Sequence, residues 1–145
     1  PIEVYDWSLE VNLRSQLYFD HACLAVMREQ KSGVIIHIGS ITGSEGSANN
    51  VGYATSKSAA MSGLTKSIAQ FGEKYGIRCC SVAPGPVLTR PGMANMKTML
   101  GRAASPDEIV DFILYIASDK GAFFNGTNVM LDGGRDALPR GDYKK

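Results

Sequence analysis

Ser40, Tyr53 and Lys57 are the residues of this sequence best suited to do chemistry. A hydroxyl closes an apolar run, a glycine-rich stretch follows, and a tyrosine and a lysine then stand four residues apart. That spacing puts both side chains on one face of a helix. Reducing a carbonyl requires a group that polarises its oxygen and an acid that works near neutral pH. A free tyrosine, with a pKa of about 10, is too weak an acid. A nearby cation favours the phenolate and lowers that value. Lys57 can supply the charge, and Ser40 can hydrogen-bond the substrate oxygen. A second stretch, Ala83-Pro-Gly-Pro-Val-Leu-Thr89, reads as a kinked turn that ends a strand.

Rigid elements must position these groups. Residues 6–28 read as a helix capped by Asp6, with Trp7, Val11, Tyr18, Ala22 and Ala25 near helical spacing. Residues 34–38 form a nearly continuous apolar run, typical of a strand buried on both faces of a parallel sheet. A small-residue loop over 43–52 leads to a second helix, 52–75. Its stripe is Tyr53, Lys57, Met61, Leu64, Ile68 and Phe71, and Gly76 stands at its C-terminal stop. A strand over 77–83 ends at Pro84-Gly85-Pro86. Ser105-Pro106-Asp107-Glu108 opens a third helix with a capping box, and Ile109, Phe112, Ile113 and Ile116 form its apolar face. A last strand spans 127–131. Alternating helices and strands predict an α/β fold with crossovers onto a parallel sheet. Catalytic groups on such sheets sit at the C-terminal strand ends, where Ser40 falls.

With 145 residues, one domain at most is expected. A net charge of +1 gives no electrostatic case for nucleic acid or an anionic membrane as partner. No apolar run approaches the length that spans a bilayer. Cys23, Cys79 and Cys80 are odd in number and include no C-x-x-C pair, so a disulfide framework or zinc site is not expected, and a reducing, cytoplasmic setting fits. His37 reads as a satisfied core residue, and neither it nor His21 is assigned to a metal. The polar tail 140–145 reads as a frayed terminus.

The Ser40–Tyr53–Lys57 arrangement resembles the active site of the short-chain dehydrogenase/reductase family, and the resemblance runs from about residue 6 to 134. It implies a Rossmann-like doubly wound parallel sheet and hydride transfer between NAD or NADP and a small carbonyl or secondary alcohol. Ser40 would bind the carbonyl, Tyr53 would be the acid/base, and Lys57 would tune it and hold the nicotinamide ribose. Asn12, in Val11-Asn12-Leu13, would hold a water that relays protons to the lysine. On the cofactor side the resemblance implies Tyr53, Lys57, Pro84, Gly85, Val87 and Thr89. Val87 would meet the carboxamide through its backbone, and Thr89 the carboxamide or the phosphates. Met93, Met96 and Met99 recur every third residue in 90–100, where the family has a longer substrate lid. Met93 and Met96 either line a substrate pocket together with Ser40 or belong to a short helix packed on the domain. Family members of this type often reduce 3-oxoacyl thioesters or oxidise sugar alcohols. Homodimers or homotetramers would form through helices 6–28 and 52–75 and a second face at the last strand.

The family's G-x-x-x-G-x-G loop and its Asn-Ala-Gly motif are absent from this sequence. The chain therefore reads as a single partial Rossmann domain over 1–145, the catalytic C-terminal portion without the cofactor-binding N-terminal half. The strand over 34–38 would then be an apolar sheet edge. Either a partner segment covers it, or the chain is a fragment, as the initial Pro1 also suggests, or a truncated product. The choice between NAD and NADP, and the substrate, are not written in these residues. A non-catalytic assembly domain is the alternative from another class.

Overall fold

A computed structural model describes residues 1–139; the tail 140–145 lies outside the described residues. The chain begins in one helical rod. It comprises α1 (Ile2–Leu9), a π-turn (Glu10–Arg14) and α2 (Ser15–Gln30). Asp6 lies inside α1 rather than capping it, because Pro1 takes the cap position and the helix starts four residues earlier than expected. The expected stripe also points outward: Trp7, Val11 and Tyr18 are exposed, whereas Ser8, Asp20 and Leu24 are buried.

β1 (Gly33–Ile38) follows, and then α3 (Thr42–Glu45), a helical turn where the sequence suggests only a loop. The second rod consists of α4 (Val51–Ala59), a π-turn (Ala60–Leu64) and α5 (Thr65–Gly72), finished by a 3-10 turn (Glu73–Tyr75). Gly76 closes it in the left-handed conformation, φ 67°, a backbone geometry that costs glycine little. β2 (Ile77–Pro84), α6 (Pro106–Ala117) and β3 (Asn128–Leu131) complete the fold.

The sheet is parallel throughout, in the order β1-β2-β3. Gly33 lies opposite Ile77, and Ser81 opposite Asn128. β2 is covered on both faces, so its side chains alternate between two cores. Ile77 and Cys79 pack with Leu24, Ile35, Ile68 and Ala69. Cys80 and Val82 pack with Ile116, Phe112 and Phe124. The neighbouring cysteines therefore face opposite layers, and all three thiols are unpaired. Burial pushes the Cys79 thiol up to about 12. Among the described residues β1 has a partner on one side only, which makes it the edge expected from the sequence.

His37 is a satisfied core residue. Its Nδ1 is 2.9 Å from Thr65 Oγ1 and its Nε2 is 3.0 Å from Asp20 Oδ2, all in the interior. Among the described residues no group of His, Cys, Asp and Glu could hold a metal, and no helix is long and apolar enough to cross a membrane.

α6 begins as expected. Ser105 Oγ accepts from the Glu108 N–H, and Glu108 accepts from the Ser105 N–H at 2.8 Å. Arg102 adds a two-nitrogen contact to the same carboxylate at 2.7 and 2.6 Å. These donors hold the Glu108 carboxyl at about 2, well below its ordinary 4.5. Ionised Glu108 therefore stabilises the fold fully above pH 4.5, and that contribution is lost as pH falls through about 2. Glu108→Gln should flatten the loss of stability across that window in acid-unfolding curves; an unchanged slope would contradict this role.

Candidate functional site

The site is built where β1 and β2 end. Beyond β1 the chain turns at Gly39 and Ser40, and the Gly39 and Ile41 N–H groups donate to the Val82 and Pro84 carbonyls at 2.7 and 3.0 Å. This pairing seats Ser40, only 9% exposed, against the neighbouring strand end. Its Oγ accepts from the Thr42 N–H at 3.2 Å, the bond that opens the α3 turn.

α3 must lie close to α4 for the loop to fold back toward Tyr53. A Cβ on Gly43 would come within 2.8 Å of the Ser58 nitrogen and 3.0 Å of the Lys57 carbonyl carbon. Only glycine allows that backbone-to-backbone approach, directly beside the lysine.

Lys57 is half-buried, and its Nζ donates to the Ile38 carbonyl at 2.8 Å. The same ammonium lies 5.6 Å from the centre of the Tyr53 ring, within cation–π range. Burial lowers the lysine pKa below its ordinary 10.5. The helix thus carries tyrosine and lysine one turn apart, as their spacing predicts, and β1 supplies the acceptor that fixes the ammonium.

A cleft of about 610 Å³ opens over these groups. It gathers Ser40, Tyr53, Lys57, Pro84, Gly85, Val87, Thr89, Met93 and Met96, so most of the residues singled out in the sequence share one surface. Met99 does not join them and is exposed. The methionines sit around a 3-10 turn (Pro91–Asn95) rather than a longer helix. The Pro86 carbonyl and the Leu88 N–H bond to Ala104. Among the described residues the Val87 N–H between them donates to no protein acceptor. Among the described residues no acidic side chain lines the cleft, and its charged groups are Lys57 and Arg90.

Asn12 lies elsewhere. It sits in the π-turn of the first rod and lines a groove of about 450 Å³ along the open edge of β1. Its Nδ2 donates to the Ser8 carbonyl at 3.1 Å, and its own carbonyl accepts from Gln16 Nε2. Lys57 and Ile38 line both the groove and the cleft.

Sequence reasoning did not single out Arg90, Ser47 or Asn50, which also line the cleft. The position of Arg90 directly after Thr89 was the available signal. Gln16, whose Oε1 is buried without a partner among the described residues, gave none.

With this geometry in hand, comparison with known proteins is decisive for family. A family model described as Enoyl-(Acyl carrier protein) reductase matches residues 1–136. A Danio rerio relative described as dehydrogenase/reductase SDR family member 6 is 38% identical over 148 residues, covering 90% of this chain and 59% of the relative. The chain belongs to the short-chain dehydrogenase/reductase family.

The solved structure of a 4-hydroxyisoleucine dehydrogenase complexed with NADH superposes with a TM-score of 0.83 at 31% identity, covering 90% of this chain and 59% of that one. Acetoin dehydrogenase YohF from Salmonella typhimurium gives 0.88 at 24% identity, covering 97% and 58%, which shows the shared Rossmann-type α/β fold. The chain spans about six-tenths of the length of these relatives.

The Gly43 contact yields a test of how the site is held. Gly43→Ala should cost about 1–3 kcal/mol through backbone overpacking. Gly63→Ala, at a helical position with open space around it, should stabilise by about 1 kcal/mol. Equal effects in urea unfolding would contradict the tight seating of α3 on α4.

Proposed function

We propose that this chain is the catalytic portion of an NAD(P)-dependent oxidoreductase that interconverts a carbonyl and a secondary alcohol. The observation that carries the reading is the convergence of Ser40, Tyr53 and Lys57 on one cleft with the Pro84–Thr89 turn. On this reading Ser40 donates to the substrate oxygen and Tyr53 passes it a proton in reduction, or takes one in oxidation. The Lys57 ammonium favours the phenolate. Asn12, in the adjoining groove, would serve Lys57 through water rather than touch substrate.

The cofactor brings the hydride donor or acceptor. The donor set suits a nicotinamide. Val87, whose N–H has no protein acceptor among the described residues, lines a cleft whose described charged groups are both cations. Tyr53 and Lys57 would hold the ribose, and Pro84, Gly85, Val87 and Thr89 the carboxamide side. The NADH held by the 4-hydroxyisoleucine dehydrogenase supports NAD or NADP as the coenzyme. Met93 and Met96 give the substrate end an adaptable apolar wall, suited to a 3-oxoacyl-like or hydroxylated substrate. The family's remaining length would complete the cofactor site, so residues 1–145 stand as one partial Rossmann domain. The three unpaired thiols support a reducing, cytoplasmic setting.

A second reading has its own observation. Both helical rods carry exposed apolar residues, among them Trp7 at 66% and Phe19 at 74% exposure. They support self-association through these rods into a homodimer or homotetramer, and an assembly role that needs no chemistry.

Tyr53→Phe separates the two. On the enzymatic reading it lowers turnover of a ketone with NADH or NADPH by about 10²–10⁴-fold. Unchanged turnover would remove Tyr53 as the acid/base.

A further inference from the structure

Three segments far apart in the sequence meet on one side chain. Arg135 Nε lies 3.0 Å from Glu45 Oε1, an ion-pair contact whose angle is not that of a hydrogen bond, with the two side chains only 12% and 20% exposed. Arg135 Nη2 donates to Glu45 Oε2 at 3.4 Å, and Nη1 donates to the Lys97 carbonyl at 3.0 Å. Two further bonds run in parallel with it. Ser44 Oγ and Asp136 Oδ1 are 2.9 Å apart, and the Leu100 N–H donates to the Gly133 carbonyl at 3.1 Å. Asp132 folds the turn that presents the arginine, its carboxylate accepting the Gly134 and Asp136 N–H groups at 2.9 and 2.7 Å. Glu45 ends α3, the element between Ser40 and Tyr53, and Lys97 follows Met96, which lines the cleft.

We propose that Arg135 is a positioning residue that ties α3 to residues 96–100 and so sets the shape of the substrate end of the cleft. This inference rests on the reading of that cleft as the carbonyl site. The guanidinium is a rigid planar fork with five donors, so it can face a carboxylate with one edge and a carbonyl with another. A lysine ammonium on a flexible stem cannot keep both in register. The pair is largely shielded from water, so salt screens it less than an exposed one. Neither Arg135 nor Glu45 lines the cleft, so they act through the segments they join.

The test reads amide hydrogen exchange of residues 42–46 and 96–100 in the purified chain, with β2 as internal reference. Arg135→Ala and Glu45→Gln should each accelerate exchange in both segments about tenfold while β2 is unchanged. Arg135→Lys should keep the protection of 42–46 and lose that of 96–100. Exchanging the charges, Glu45→Arg with Arg135→Glu, should restore 42–46 only. Acceleration confined to one segment in Arg135→Ala, or spread into β2, overturns the proposal. In turnover assays the same Arg135→Ala variant should raise KM about tenfold with kcat within about twofold. A fall in kcat at constant KM also overturns it. Turnover is read with the family's remaining length present; a completed parent without turnover, but with the exchange pattern above, counts against the carbonyl-site reading and leaves the coupling of the two segments standing.

Discussion

The hydrogen bond from Lys57 Nζ to the Ile38 carbonyl joins the helix that carries Tyr53 and Lys57 to the strand that orients it. Its two ends have opposite needs. The carbonyl stabilises a charged ammonium, whereas burial disfavours it, and burial prevails, since the lysine pKa is lowered. A cation held this way beside the Tyr53 ring costs solvation, and the sheet must supply the rigidity that offsets it. β2 supplies that rigidity. It is buried along nearly its whole length, and its last carbonyls pin the Gly39–Ile41 turn. Ser40, Lys57 and the Pro84 turn therefore share one frame, and none depends on a flexible loop for its position.

The same frame explains why two neighbouring surfaces differ. At the strand ends, side chains from β1, β2 and α4 converge on a cleft lined about equally by polar and apolar groups. Along the free edge of β1, the rod of α1 and α2 stands off and leaves a mainly apolar groove, with Lys57 reaching into both. The π-turn at residues 10–14 aims Asn12 at the groove rather than the cleft. Asn12 and Tyr53 thus lie on the two sides of one lysine.

Much of this was legible because it is local. Tyr53 and Lys57 lie one helical turn apart, Ser40 closes an apolar strand, and the Ser105–Glu108 box states its helix start outright. The apolar runs indicated the parallel sheet, but the burial on both faces expected of residues 34–38 falls instead on β2, because β1 is the sheet edge and is only partly buried. What failed was longer in range or set by packing. Two π-turns interrupt the rods with no sequence signal such as proline. The apolar positions of the first rod read as a core stripe and are in fact exposed, while Asp20 is buried against His37 of β1, which its carboxylate contacts directly. Glu45 and Arg135, ninety positions apart, could not be paired from one sequence.

The claim that most of this account depends on is that the chain holds its lysine preorganised, partly desolvated and charged beside Tyr53. The direct measurement is an NMR titration of the Lys57 side chain, assigned by loss of its signal in Lys57→Gln. The account predicts a titration midpoint below the ordinary 10.5, with the fold intact throughout. A midpoint at 10.5 would mean an ammonium as solvated as a free one, and a midpoint above it one whose acceptors outweigh burial; either contradicts a partly desolvated lysine.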